Sequence, residues 1–382
     1  MSEFNGSIAQ VNVQFPIETV IEPVAGENYT RAMIFVPLAD APDYLVDTVQ
    51  PGQKIEMESS NYGALTKGLL KTWLVPYFSA ASAAKLAVCI YDEDTTTEEG
   101  GEPVVVPATA PISAVYEAYK YYAYFKFGLA DSDKYTALQG TLAQLCKADP
   151  LYSQLWVGTF DPSVLEKTSA LISTLTGVDA DARVVYNPDE TINAALAQLG
   201  ASLATANDTG TPVGNDVDML AFNTIKASGA LDAEGNRGNL TTTQKSALDD
   251  QKIGYNTWVG DGTENVVTEG SLTLKGNAVG AQWVKSYIEY VCKIRTANFI
   301  TRRNRFRNNQ QYQAILLIVS KAVKPFVDFG RLADFVITAP SFTKLAPSGD
   351  SIVVPNAWQA TYIDKIRTVT VYGTLYITQP SK

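Results

Sequence analysis

"LWVGTFDPSVLEKTSALISTLTG", residues 155–177, decides the class of fold. A short apolar run, 155–160, meets Asp-Pro and passes into a stretch of helical spacing, so a buried strand leads directly into a helix. The unit recurs in "RVVYNPDETINAALAQLGASLA", residues 183–204, with Asn-Pro at the junction. Asp161 and Asn187 are placed as helix N-caps, and Pro162 and Pro188 as first helical residues, where the missing N–H costs nothing. Strand, helix, strand, helix is the grammar of an α/β domain. A helix start after a strand also suits phosphate, but these turns lack glycines and the chain carries neither GxGxxG nor a Walker sequence, so no cofactor is read here.

Upstream, "RAMIFVP" (31–37) and "KLAVCIY" (85–91) read as strands. "ISAVYEAYKYYAYFKFG" (112–128) and "TALQGTLAQLCK" (136–147) read as helices. "DEDTTTEEGGEP", residues 92–103, gathers six acids without the ligand spacing of an EF-hand, which favours a solvated loop over a calcium site. Downstream, residues 207–239 are rich in Gly, Asn and Asp and mark a boundary or a long surface loop.

After that boundary, "TTQKSALDDQKIG" (242–254) is expected to form a short helix closed by Gly254. "YNTWV" and "ENVVTEGSLTL" then flank a Gly260-Asp261-Gly262 turn as a hairpin. Two long amphipathic helices follow. In 281–300 the stripe is Val284, Tyr287, Ile288, Val291 and Ile294; in 310–330 it is Tyr312, Ile315, Leu316, Val319, Val323 and Phe326. Between them lies the basic concentration Lys293, Arg295, Arg302, Arg303, Arg305 and Arg307, with no acid from 290 to 308. A solvated helix end, contact with an acidic protein, and nucleic acid all remain open for it. Phe306 alone is not the aromatic interleaving of a single-strand binder.

Both ends are strand-like. "SIAQVNVQFPIETV" (7–20) sets Val11, Val13, Phe15 and Ile17 on one face, and Pro16 and Pro23 restrict it to an edge or an arm. "RTVTVYGTLYITQP" (367–380) sets Val369, Val371, Leu375 and Ile377 on one face against Thr and Tyr on the other. A division follows: arm 1–25, an α/β domain 26–240, a second domain 241–365 of mixed sheet with the two long helices, and arm 366–382.

Composition narrows the function. Charged residues make up 18% of 382 and apolar ones 46%, where about a quarter charged is usual, so much of the surface is neutral; that suits a subunit buried against others, or a plain neutral monomer. The net charge of −10 opposes a general affinity for nucleic acid. Histidine is absent, which removes the usual general base, the commonest metal ligand and every Ser-His or Cys-His nucleophile. Cys89, Cys146 and Cys292 are far apart and read as core residues in a reducing compartment. "MSEFNGSIAQ" has no secretory character, and no apolar run reaches the ~18 residues of a membrane span, so a cytoplasmic protein without membrane insertion is expected.

From about residue 245 the order of features resembles the C-terminal domain of contractile-tail sheath proteins of myophages, R-type bacteriocins and related injection machines. The succession is "LDDQKIGYNTWVGDG", "EGSLTLKG", "WVKSYIEYVCKIRTANF", "VKPFVDFGRLADFVITAP" and a closing strand. It departs from the pattern at "ITRRNRFRNN", 300–309, where many sheaths have a stretch like Phe-Glu-Pro-Asn. The resemblance implies a structural subunit without catalytic, metal or cofactor residues. Its partners would be other copies in helically stacked, hexameric rings, a tail tube protein, and baseplate and terminator proteins. It implies assembly in a host bacterial cytoplasm into a virion tail, both terminal strands adding to neighbours' sheets while a metastable lattice contracts. The basic stretch would touch the tube. Two other readings stay open: a two-domain α/β enzyme with a carboxylate-based site, and another virion structural subunit.

Overall fold

The computed structural model of the chain describes residues 32–363 except 42–44, 46–48, 81–83, 100–101, 120–122, 128–132, 149–152, 208–220, 223–224, 232, 234–236, 259–265, 271, 303–308, 329 and 345–357. Its centre is a nine-stranded mixed sheet. The strands, in chain order, are β1 (Ala32–Pro37), β2 (Lys54–Met57), β3 (Leu86–Tyr91), β6 (Ala123–Lys126), β7 (Gln154–Thr159), β8 (Arg183–Tyr186), β9 (Ala221–Phe222), β10 (Gly254–Trp258) and β11 (Val266–Glu269). A hairpin, β4 (Thr95–Glu99) with β5 (Glu102–Val106), stands apart from the sheet. The order across the sheet is β2-β3-β1-β6-β7-β8-β10-β11-β9. From β3 to β10 all neighbours are parallel, while β2, β11 and β9 pair antiparallel at the margins.

Helices cover both faces, as a parallel sheet requires. One face carries α1 (Gly68–Ala80), α5 (Ala194–Asn207), α7 (Val279–Arg302) and α8 (Asn309–Asp328); the other carries α2 (Ile112–Ala118), α3 (Asp133–Ala148), α4 (Ala170–Gly177) and α6 (Thr242–Asp250). The first core joins Ile34, Val88, Phe125 and Trp156 of the strands to Trp73, Leu196, Trp283 and Phe326 of the helices. The second joins Phe35, Tyr91, Tyr124 and Val184 to Tyr116, Leu142 and Leu175. Helices α1 and α5 approach closely at Gly200, where an added Cβ would lie 2.7 Å from the Tyr77 carbonyl oxygen. No helix among the described residues is long and apolar enough to cross a membrane.

The α/β reading holds, and so do β1, β3, α3, the β10–β11 pairing and both long helices; the Gly260-Asp261-Gly262 turn lies outside the described residues. Several local expectations are corrected. The second half of 112–128 is strand: α2 stops at Ala118, and Ala123–Lys126 pairs parallel with β1, buried at all four positions. Thr95–Glu99 and Glu102–Val106 pair as the antiparallel strands β4 and β5 rather than forming a loop. Asp161 caps its first turn by accepting from Ser163 N at 2.8 Å, but that turn is 3-10 and the helix proper restarts at Ala170 under Ser169. Asn187 is not a cap. Its side-chain amide donates to Lys226 O at 3.0 Å and to Asn256 Oδ1 at 3.1 Å, and α5 starts under Asn193, whose Oδ1 accepts from Leu196 N at 2.9 Å. Lys252, at φ +61°, reverses the chain after α6, leaving Gly254 to begin β10.

Candidate functional site

Helix α8 delivers the chain to the place of interest. Val319, Val323 and Phe326 bury its apolar stripe, and Phe326 meets Trp283 and Tyr287 of α7 with ring centroids 6.2 and 5.7 Å away. At its end Gly330 takes φ +72°, a left-handed conformation that favours glycine, and Arg331 N donates to Phe326 O at 2.8 Å. The chain then enters β12 (Leu332–Ile337), which pairs antiparallel with β13 (Trp358–Tyr362).

This second sheet has two strands among the described residues. One face is apolar. Phe335, Ile337, Trp358 and Ala360 are half-buried against the first core, with the Phe335 and Trp358 rings 6.5 Å apart. Trp358 also reaches Tyr312, whose buried hydroxyl donates to Pro340 O at 2.6 Å and whose pKa is raised by that burial. The other face leaves Val336 55% and Ile363 43% exposed. The register slips between Ala333 and Val336, with Asp334 at φ +52°. A two-stranded sheet is marginal by itself. This one is supported from beneath by the first core.

Of the residues singled out in the sequence, Val11, Val13, Phe15, Ile17, Val369, Val371, Leu375 and Ile377 lie outside the described residues, as do Arg303, Arg305 and Arg307. Lys293, Arg295 and Arg302 fall on α7, Arg302 as its last residue, and Arg295 is exposed. Sequence reasoning passed over β12 and β13 as a unit. The alternation Trp358, Ala360, Tyr362 against Gln359 and Thr361 is the signal that finds the second strand.

A cleft of about 280 Å³ lies elsewhere, lined by Cys146, Lys147, Gln154, Asp179, Asp181 and Lys285 among others. Lys275 donates to Asp179 at 2.9 Å, and with Lys147 nearby it holds that carboxyl below its ordinary range. Asp181 accepts from Thr273 and from Asn277 Nδ2 at 2.9 Å. Both carboxylates are engaged as hydrogen-bond acceptors. At the carboxyl ends of β8 and β10, where doubly wound sheets open to ligands, residues 225–229 fill the space. Ser228 Oγ donates to Tyr186 O at 2.9 Å and accepts from Asn256 N at 2.9 Å. Among the described residues no three His, Cys, Asp or Glu side chains gather as a metal would need.

No protein-family model matches the sequence, and no curated protein is similar to it. In structure the chain is similar to one from the anti-feeding prophage baseplate, seen by 6-fold symmetrised cryo-EM: TM-score 0.64 and 11% identity over 96% of this chain and 100% of that one. A weaker likeness, TM-score 0.45 and 9% identity over 80% of this chain and 86% of that one, is to the sheath tail protein of Listeria innocua. The chain therefore shares its fold with that chain of the anti-feeding prophage baseplate.

Proposed function

We propose that the chain is a structural, non-catalytic subunit of a contractile tail sheath, stacking as rings around a tail tube and contracting from a metastable extended lattice. The observation that carries this reading is the small sheet β12–β13, which has two strands among the described residues, in a chain whose sequence is strand-like towards both ends. A strand from another copy, laid along either edge, would complete the ladder through main-chain hydrogen bonds and fix register through alternate side chains. Val369, Val371, Leu375 and Ile377 of one arm, and Val11, Val13, Phe15 and Ile17 of the other, are the residues proposed to cover it. At roughly 1 kcal/mol net per hydrogen bond and about 1.5–3 kcal/mol per buried aliphatic, such a link outlasts looser contacts between subunit bodies. The arms hold while the faces slip, and contraction draws only on the difference in interface energy between two lattices.

The division into arms 1–25 and 366–382, outer part 26–240 and inner part 241–365 belongs to the same proposal, with β10 and β11 extending the central sheet from beyond residue 240. The proposed partners are other copies, in six-membered rings like the symmetry of the baseplate neighbour, a tube protein, and baseplate and terminator proteins. Lys293, Arg295, Arg302, Arg303, Arg305 and Arg307 are the proposed grip on an acidic tube, screened by salt. Reversing charge at Arg302, Arg303 and Arg305 is expected to weaken sheath-to-tube assembly at low salt; unchanged assembly contradicts the grip. Removal of residues 367–382 tests the main reading. The truncated chain is expected to keep its circular dichroism and melting transition but lose polymerisation, whereas an unfolded chain would show an arm that belongs to its own core.

A further inference from the structure

The cleft of about 280 Å³ shares no lining residue with the small sheet and sits where β7 and β8 begin, at Ser153, Gln154 and Ala182. Three lysines reach it from three separate elements: Lys147 in the last turn of α3, Lys275 on the turn after β11, and Lys285 on α7. Two carboxylates hold the first two in place. Asp181 accepts from the Thr273 hydroxyl and from Asn277 Nδ2, which pins the turn that carries Lys275. Asp179 Oδ2 lies 2.9 Å from Lys275 Nζ and 3.5 Å from Lys147 Nζ, so one oxygen draws two ammonium groups together. Lys147 Nζ also donates to Val178 O at 2.9 Å, which fixes it further. Lys285 is half-buried and has no ion-pair partner among the described residues.

Three cations against two carboxylates leave one positive charge over among the lining residues. A half-buried ammonium beside a cleft, without a counter-ion, draws an anion into it. The donors decide which anion fits. Ammonium groups act as point charges with rotatable donors, and converging from separate elements they suit a tetrahedral dianion. A planar carboxylate is better served by a guanidinium fork, and no arginine lines the cleft among the described residues. Ligand pockets run from about 300 to 1,000 Å³, so a cleft at the small end holds a phosphate with a few further atoms and not a polymer.

We propose that this cleft is a binding site for phosphate, inorganic or as a small monoester, held by Lys147, Lys275 and Lys285. The ligand joins Lys147, from before residue 240, to Lys275 and Lys285 from after it, and so stabilises the fold by mass action. The site stands apart from the arms, and its failure leaves the assembly reading as it is. Calorimetric titration of the full-length chain with inorganic phosphate, in chloride buffer at matched ionic strength, is expected to show saturable binding with Kd of about 1 mM or below. Phosphate is also expected to raise the melting temperature. Lys275→Gln with Lys285→Met should weaken binding about tenfold or more and remove that rise, while Lys71→Met, at an exposed position on α1, changes neither. Succinate, a dianion that is not tetrahedral, should bind about tenfold more weakly than phosphate. Melting curves without phosphate check that the variants are folded; if the double variant melts early, Lys275→Gln alone, on its exposed turn, carries the comparison. Glycerol 1-phosphate distinguishes the source: tighter binding than inorganic phosphate identifies an ester whose body fills the rest of the cleft, and equal or weaker binding identifies inorganic phosphate. A wild type with neither saturable heat nor a melting shift, an affinity unchanged in the lysine variants, or succinate binding as tightly as phosphate overturns the site.

Discussion

Arg183 shows how much one buried side chain organises. It is fully buried, and its guanidinium donates to Gln198 Oε1 at 3.1 Å, to Leu272 O at 2.8 Å and to Gly270 O, tying β8 to α5 and to the chain after β11. Gly254 faces it so closely that a Cβ there would collide with the guanidinium. Arg183→Met leaves buried acceptors without donors and is expected to cost about 3 kcal/mol in urea unfolding. Gly254→Ala should be strongly destabilising in the wild type and much less so beside Arg183→Met; equal costs in both backgrounds would deny the contact. Asp92 is a second case. Its bond from the Thr109 hydroxyl, with Ala110 N and Thr109 N, lowers its pKa. A folded pKa below the unfolded one means stability present above the ordinary carboxylate range and lost as pH falls through the folded value. Wild type should therefore melt above Asp92→Asn near neutral pH and converge with it in acid; a constant gap would deny the linkage.

Among the elements, α7 and α8 carry the open sheet on an aromatic cluster, Trp283 stacked on Tyr287 at 5.3 Å with Phe326 against both. Trp283→Ala is expected to cost about 3–5 kcal/mol by thermal unfolding, for the burial lost and the cavity left. These helices were legible because a stripe at helical spacing survives in any context, and Val284, Ile288, Val319 and Val323 all bury as the spacing predicts. Strand β6 was not. A parallel strand covered on both faces shows no alternation, so "AYFK" after a helical pattern reads as more helix until its pairing with β1 is seen. The β4–β5 hairpin hid behind its acids, although Thr and Val at every paired position from 95 to 97 and 104 to 106 are strand formers. Asn187 failed as a cap because a buried amide with two acceptors nearby is worth more there than an exposed helix start.

For the whole molecule, the candidate site was half legible. Period two in the sequence marks the proposed arms, but the small sheet proposed to receive them depends on where α8 sets down β12, and no local pattern records that. A nine-stranded sheet clothed on both faces is complete in itself, while the small sheet beside it is open at both edges among the described residues. Cryo-electron microscopy of the assembled chain, at a resolution that traces the backbone, tests this most directly. The account predicts continuous density from residues 364–382 of one copy to an outer edge of the β12–β13 pair of another. Density that folds those residues back into their own copy, with the edges of the pair left bare, would contradict it.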